Sequence, residues 1–428
     1  MNILLIISPY EPAQTPNTLR WQPLVAYFKQ QGHTVSILTT KRGGYDTKSN
    51  DNGIKTYRAG YNTLLDRVYD LVGSKSRRNE MNTTVPSTSF VSFLMQRFVD
   101  KTWRKNYWPD GTKLFLKPGI KAGQQIIRED AITHIISVGL PFTCHLIAAT
   151  LKKANPSLRW HMDIQDPFSY SDEFWVNNFS KYKQKNIEEE GKAFAQADSI
   201  SLTNDRAKER YAELFPSEKN KMSLIPPMWH QPTSSDKYDM ILFSRKIHLG
   251  YFGSFYDNVR SLLPFLKFLS YMHEQESSLF DEIQFHFVGQ MDRRTLAMLE
   301  AYPEIRRYMV VHGFVNRAQA IDAMSQVDIL MNIGNTTDYH LPSKVVDYLA
   351  CGKPILNLIS TQQDSAKRFF DGSSVPLLNV LLDEKRYADQ KEAFLGFIRK
   401  DYGEITVDGE VLKPFVLKTI AERYLDVL

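Results

Sequence analysis

Short apolar runs followed by helix-period stretches recur along this chain in two series, and that alternation leaves few folds open. In the first series Ile3-Leu4-Leu5-Ile6-Ile7 reads as a buried strand. Residues 19–31 read as a helix with Leu24, Val25 and Phe28 on one face, and Thr34-Val35-Ser36-Ile37-Leu38-Thr39 as a second strand after a Gly32-His33 stop. Strand, helix and strand of these lengths make a parallel βαβ unit. Strands at 132–138, 159–164, 197–203 and 222–225, with helices at 117–129, 145–153, 186–196 and 207–214, continue the rhythm. A stretch without periodicity, 229–245, carries Pro and Ser and reads as a linker. The second series then has strands at 247–252, 285–289, 309–315, 328–333 and 355–359, interleaved with helices at 261–272, 296–299, 318–325 and 344–350. The expected fold is α/β: two Rossmann-like domains with parallel sheets, spanning 1–228 and 246–408, and a closing helix within 409–428.

Composition narrows the class. With 43% hydrophobic and 24% charged residues over 428 positions, the chain has the make-up of a soluble two-domain protein. No apolar run approaches the ~18 residues that span a bilayer. The start has no basic region ahead of its apolar run and reads as a strand rather than a signal peptide. Two cysteines, Cys144 and Cys351, make no disulfide framework, so a reducing, cytoplasmic setting is expected. The net charge of +5 is uneven: nine Lys/Arg against three acids fall between Lys75 and Lys117. The rest of the chain is near neutral, which argues against a nucleic-acid coat. That basic stretch lies in an insertion at about 61–117, where Phe90, Leu94 and Phe98 recur beside Arg97, Lys101, Arg104 and Lys105. It reads either as a helix lying on the inner membrane surface or as an insertion helix packed on its domain.

The chemistry concentrates in 340–356. Pro342 and Ser343 suit a helix start, Gly352 a left-handed exit, and Pro354 a stop before the strand Ile355-Leu356-Asn357-Leu358-Ile359. A helix start presents free N–H groups and the positive end of the dipole. Lys344 adds a full charge of the sign that disfavours the helix and favours a bound phosphate. Asp347, three residues on, shares its face and is a candidate for sugar hydroxyls. In the first domain, the loop after the opening strand lacks Gly-x-Gly-x-x-Gly, which argues against a nicotinamide dinucleotide and leaves Asn17, Thr18 and Arg20 as polar candidates. His145 and Asp166 fall at strand or loop exits on the expected ligand side. No Asp-x-Asp and no His/Asp cluster with metal spacing occurs, so no metal and no cofactor are expected.

In this order the motifs resemble retaining glycosyltransferases of the GT-B fold, of the large family-4 type. The likeness is carried by Gly250-Tyr251-Phe252-Gly253-Ser254, His312-Gly313-Phe314-Val315, Leu341-Pro342-Ser343-Lys344 with Asp347, Gly352-Lys353-Pro354, and, in the amino half, Pro141-Phe142-Thr143-Cys144-His145 and Asp163-Ile164-Gln165-Asp166-Pro167. The resemblance implies two facing domains, the carboxyl one holding a nucleoside-diphosphate sugar and the amino one a saccharide or lipid-linked acceptor. It implies that the last helix returns to the amino domain. Gly253, Ser254, Arg260, Pro342, Ser343 and Lys344 would hold the diphosphate, Asp347 the ribose and the backbone at Phe314 and Val315 the base. His145 and Asp166 would join Lys344 as catalytic groups, with Asn17, Thr18 and Arg20 in the acceptor cleft. Two positions depart from the family habit: Tyr339 stands where a glutamate is usual, and Ser254 where a basic residue is common. The reaction implied is metal-independent transfer of a hexosyl group with retention, in surface polysaccharide or glycolipid assembly. A nucleotide-sugar epimerase of the same fold and a non-catalytic sugar-nucleotide-binding protein remain alternatives.

Overall fold

A computed structural model describes residues 1–13, 15–41, 45–62, 106–171, 173, 176–229, 237–240, 242, 245–255 and 259–428. The basic amphipathic helix expected around 90–105, with most of its insertion and part of the linker, lies outside the described residues. The chain forms two compact units, Met1–Pro226 together with Ile420–Leu428, and Pro227–Thr419.

In the first unit β1 (Asn2–Ile6), α1 (Pro16–Gln30), β2 (Thr34–Lys41), β3 (Lys48–Asp51) and β4 (Ile54–Tyr61) are followed by α2 (Leu116–Glu129), β5 (His134–Gly139) and α3 (Thr143–Ala154). Then come β6 (Arg159–Ile164), α4 (Phe179–Gln196), β7 (Ser199–Leu202), α5 (Asp205–Leu214) and β8 (Met222–Leu224). The sheet order is β3-β4-β2-β1-β5-β6-β7-β8, parallel throughout except for the β3–β4 hairpin. Its inner strands are buried on both faces because helices cover both. The strand β3, which the apolar pattern does not mark, lies at the edge of the sheet: a polar edge strand has no apolar side to betray it in a sequence.

The closing helix, α11 below, sends Tyr424 into a buried polar knot of this unit. Asp163 on β6 accepts from Tyr424 Oη at 2.9 Å, Trp21 Nε1 at 3.2 Å and Ser201 Oγ at 2.6 Å. Arg20 donates to Tyr424 Oη from Nε and Nη2 at 3.2 and 3.0 Å, and to the carbonyls of Pro226 and Ile225 at 2.9 and 3.1 Å. Every hydrogen-bonding group of the knot is satisfied within it, which is the condition for burying charge at low cost.

The second unit has β9 (Ile247–Phe252), α6 (Leu263–Gln275), β10 (Ile283–Val288), α7 (Arg293–Glu300), β11 (Met309–Gly313), α8 (Arg317–Gln326) and β12 (Ile329–Ile333). It continues with α9 (Lys344–Cys351), β13 (Ile355–Ile359), β14 (Leu377–Leu381), α10 (Tyr387–Arg399) and α11 (Leu417–Val427), whose end belongs to the first unit. The sheet is wholly parallel in the order β11-β10-β9-β12-β13-β14. The order reverses between β9 and β12, and the loops leaving the carboxyl ends of those two strands diverge there, which is where such sheets bind ligands. Among the described residues no helix is long and apolar enough to cross a membrane.

Tyr424→Phe removes one donor from Asp163 and the shared acceptor of Arg20. It is expected to cost about 1–3 kcal/mol and to raise amide hydrogen exchange across α11 before the rest of the chain. Unchanged exchange in α11 would show that the knot does not hold the helix.

Candidate functional site

At the switch point of the second unit the side chains converge on the ring of Tyr251. Tyr251 lies near the end of β9 and is fully buried. Lys344 Nζ stands 3.7 Å from its ring centroid and 5.5 Å from that of Tyr348. That nitrogen is shut from solvent and has no hydrogen-bond partner among the described residues. Burial, and then the charge of Arg260, hold its pKa well below the usual lysine range. Arg260 donates from Nη1 to Tyr251 Oη at 2.9 Å and from Nη2 to Asn335 Oδ1 at 2.7 Å, while its Nε is buried and unpartnered. Two cationic side chains thus share one aromatic ring with unused donors.

The backbone leaves room for a ligand there. Gly253 has φ +150°, and a Cβ on it would lie 3.2 Å from Tyr251 Oη and 3.3 Å from Lys344 Nζ. A Cβ on Gly289 would lie 2.2 Å from the Gly253 carbonyl oxygen, so these two strand ends tolerate no side chain. Ser254 is half-buried beside the turn, its carbonyl facing Tyr251 Oη at 3.4 Å.

Helix α9 positions Lys344. Tyr348 Oη accepts from the Phe252 N–H and donates to the Met331 carbonyl, both at 3.0 Å, so one hydroxyl ties α9 to β9 and β12 together. Ser343, expected to cap this helix, is exposed and makes no capping hydrogen bond. The first-turn N–H groups are therefore not taken by a side-chain cap. Gly352 ends the helix at φ +63°, as its sequence position implies. Pro342 is half-buried just ahead. The loop after β12 is tied to Arg260 through Asn335, whose Nδ2 donates to the His340 carbonyl at 2.9 Å. Tyr339, at the position of the missing glutamate, is buried with its ring 4.4 Å from that of His340.

Asp347 is 4% exposed, and both its oxygens accept from Arg317 Nη2, at 2.7 and 2.8 Å. Burial raises its pKa to about 6 against the opposing pull of Arg317, so it is ionised at neutral pH. Phe314 is 52% exposed and Val315 half-buried, in the segment between β11 and Arg317. Tyr251, Asn335, Arg317 and Tyr348 have no signal in the sequence as site residues: each reads as an ordinary strand, loop or helix position.

The remaining candidates lie in the first unit. Thr18 is buried at the start of α1, where Thr15 Oγ1 accepts from its N–H at 3.2 Å. Asn17 Nδ2 donates to the Leu140 carbonyl at 3.1 Å, joining the loops after β1 and β5. Arg20, 6% exposed, belongs to the Tyr424 knot; all four of its donor contacts above are to groups more than 200 residues away in sequence. His145 is 2% exposed, with Nδ1 2.8 Å from Ser137 Oγ and its Nε2 edge packed on Gly139. Burial lowers its pKa to about 3, so this is a neutral core imidazole. His161, between Ser199 and Ser201, is likewise lowered by burial, to about 4. Asp166 differs: half-buried at the end of β6, it forms no hydrogen bond with a described residue, and burial raises its pKa to about 6. Among the described residues no group of three His, Cys, Asp or Glu side chains is placed to hold a metal ion.

No family model matches the chain, and no curated protein matches it. Solved structures do. An α,α-trehalose-phosphate synthase (UDP-forming) from Burkholderia xenovorans, in complex with glucose-6-phosphate, matches over 100% of both chains at TM-score 0.64 and 10% identity. WaaG, a glycosyltransferase involved in lipopolysaccharide biosynthesis, matches over 100% of this chain and 95% of its own at TM-score 0.55 and 10% identity. HepE of Anabaena, in complex with UDP and glucose, matches over 100% and 98% at TM-score 0.54 and 12% identity. With its two parallel-sheet α/β units, the chain has the GT-B fold.

The two buried imidazoles of the first unit make a pH prediction. Their folded pKa values of about 3 and about 4 lie below the ~6.5 of a free histidine. The unfolded chain takes up protons first, so stability is full above pH 6.5 and falls as pH drops toward 4. Each should cost about 2 kcal/mol between pH 7.5 and pH 5. Urea unfolding followed at both pH values should show the loss, and His145→Asn should reduce it. An equal pH dependence in that variant would show that the imidazole is not buried neutral.

Proposed function

We propose that the chain is a glycosyltransferase that moves a sugar from a nucleoside-diphosphate sugar to an acceptor hydroxyl with retention of configuration. The observation that carries this reading is the buried Lys344 amine, which has no partner among the described residues, beside an Arg260 Nε in the same state, at the switch point of a GT-B unit. Such a pair suits the diphosphate of a donor, whose charge grows as the glycosyl bond breaks. Donors already in place cost no reorganisation at that moment. Gly253 leaves the space between them open, and the N–H groups at the start of α9 add to the positive potential. The fold neighbours named for UDP and for UDP-forming synthesis support a nucleotide-sugar donor.

In this reading Phe314 offers an aromatic face to the base, and Asp347 reaches the ribose through, or in exchange for, Arg317. The first unit takes the acceptor, and Asp166, an unbonded carboxyl at a strand end, orients its hydroxyl. WaaG, a glycosyltransferase involved in lipopolysaccharide biosynthesis, supports a polysaccharide or glycolipid acceptor. Lys344 and Arg260 supply the leaving-group charge that a metal ion supplies elsewhere, so transfer proceeds without one.

Turnover of a panel of nucleoside-diphosphate sugars, followed by chromatography of the released nucleoside diphosphate, tests the proposal. One donor should be consumed, with Lys344→Ala lowering its kcat/KM at least about tenfold. Full turnover in that variant, or conversion of the donor to an isomeric nucleotide sugar with no acceptor present, would contradict it.

A further inference from the structure

We propose that the Lys344 amine is uncharged in the empty site and takes up one proton when a diphosphate binds, so that the site acquires its second cation only with its ligand. The inference rests on the donor reading above.

The geometry brings two basic side chains together, and among the described residues no carboxylate bonds to Lys344. Lys344 Nζ is enclosed between the rings of Tyr251, on β9, and Tyr348, on its own helix. Arg260, from the segment after β9, is the charged group that acts on it. The carboxylates of the neighbouring elements bond to other groups, and the one of them that Arg260 acts on through space, Asp364, is not a charge that acts on Lys344. Asp347 is bound by Arg317 of α8. Asp364, at the start of the helix Ser365–Phe370, accepts from the Lys367 N–H at 2.9 Å. No described carboxylate pairs with Lys344.

Two enclosed positive charges without a partner are costly, and only one of them can be given up. A guanidinium holds its proton under all ordinary conditions, whereas a buried amine does not. The face of Tyr251 attracts a cation, but it is shared with Arg260, whose guanidinium carbon lies 6.0 Å from the same centroid. Burial and Arg260 push Lys344 in the same direction, toward the neutral form.

A diphosphate reverses this. Its negative oxygens against Nζ favour the ammonium, and a buffer acid gives one proton to Nζ and leaves as its conjugate base. Proton uptake on binding means that affinity falls as pH rises. The decline should approach about tenfold per pH unit between pH 7.5 and 9, where a terminal phosphate with a pKa near 6 is already ionised. The charge state also makes the site selective for ligands with a doubly charged phosphate.

Calorimetric titration of UDP into the full chain at pH 8, in HEPES and in Tris, tests this. The two binding enthalpies should differ by the difference in buffer ionisation enthalpy for about one proton. Lys344→Arg, permanently charged, and Lys344→Met, permanently neutral, should each bind with the same enthalpy in both buffers. Wild-type binding with equal enthalpies, or a buffer difference that survives in both variants, would overturn the proposal while leaving the donor site standing. No binding of any nucleoside diphosphate by the wild-type chain would remove the donor site and this inference with it.

Discussion

The second unit is organised by one tyrosine ring that gathers two basic side chains, one of them with no bonded partner among the described residues. Tyr251 can hold Lys344 and Arg260 together because β9 delivers it at the sheet's switch point. Around it, each supporting contact fixes a different element. The Tyr348 hydroxyl pins α9 to both central strands, Asn335 links Arg260 to the loop after β12, and Gly253 and Gly289 let two strand ends close to backbone contact. A buried polar atom without a partner is costly in a folded protein and calls for a physical reason. Here Lys344 Nζ and Arg260 Nε are both in that state within one aromatic contact. A site that receives its missing charge from a ligand gives both the same reason.

The first unit shows the opposite treatment of buried charge. Asp163 and Arg20 are enclosed as deeply, yet each is saturated with partners, and the closing helix supplies the hydroxyl that both of them use. His145 and His161 follow the same pattern, each neutral and bonded to serines. Asp166 stands apart from that saturated core as a half-buried carboxyl without a bonded partner among the described residues. Saturated groups hold structure together, and unsaturated ones at strand ends remain available for chemistry. The same criterion separates Arg20 from Arg260, although both are arginines near the carboxyl end of a parallel sheet.

Much of the fold is legible in the sequence because parallel strands covered on both faces are continuous apolar runs. Ile355–Ile359 reads at its observed bounds for that reason, while Ile247–Phe252 and Arg159–Ile164, which interleave polar residues, read as strand-length segments between helix patterns. Lys48–Asp51 does not, being a polar hairpin strand. Lys344 and Gly253, on which the proposed phosphate site is built, stand out in the sequence, since a lysine at a helix start and a glycine at a strand end carry their reasons locally. What is not legible depends on register and on long-range partners. Nothing local assigns Arg20 to a tyrosine 404 residues away. Nor does it show that Asn332, Asn357 and Asn379 bond into a ladder across β12, β13 and β14 at 2.8 and 2.7 Å. The same holds for His248, His286 and His312, linked at 2.9 and 3.0 Å. Arg317 is the clearest case at the site itself, because only the packing of α8 on α9 brings it onto Asp347.

The most direct measurement is a crystal structure of the chain with UDP bound. The account places the terminal phosphate within hydrogen-bond distance of Lys344 Nζ and Arg260 Nε, over the open face of Gly253. A diphosphate bound elsewhere in the second unit, with Lys344 still enclosed against Tyr251 and unpartnered, would contradict it.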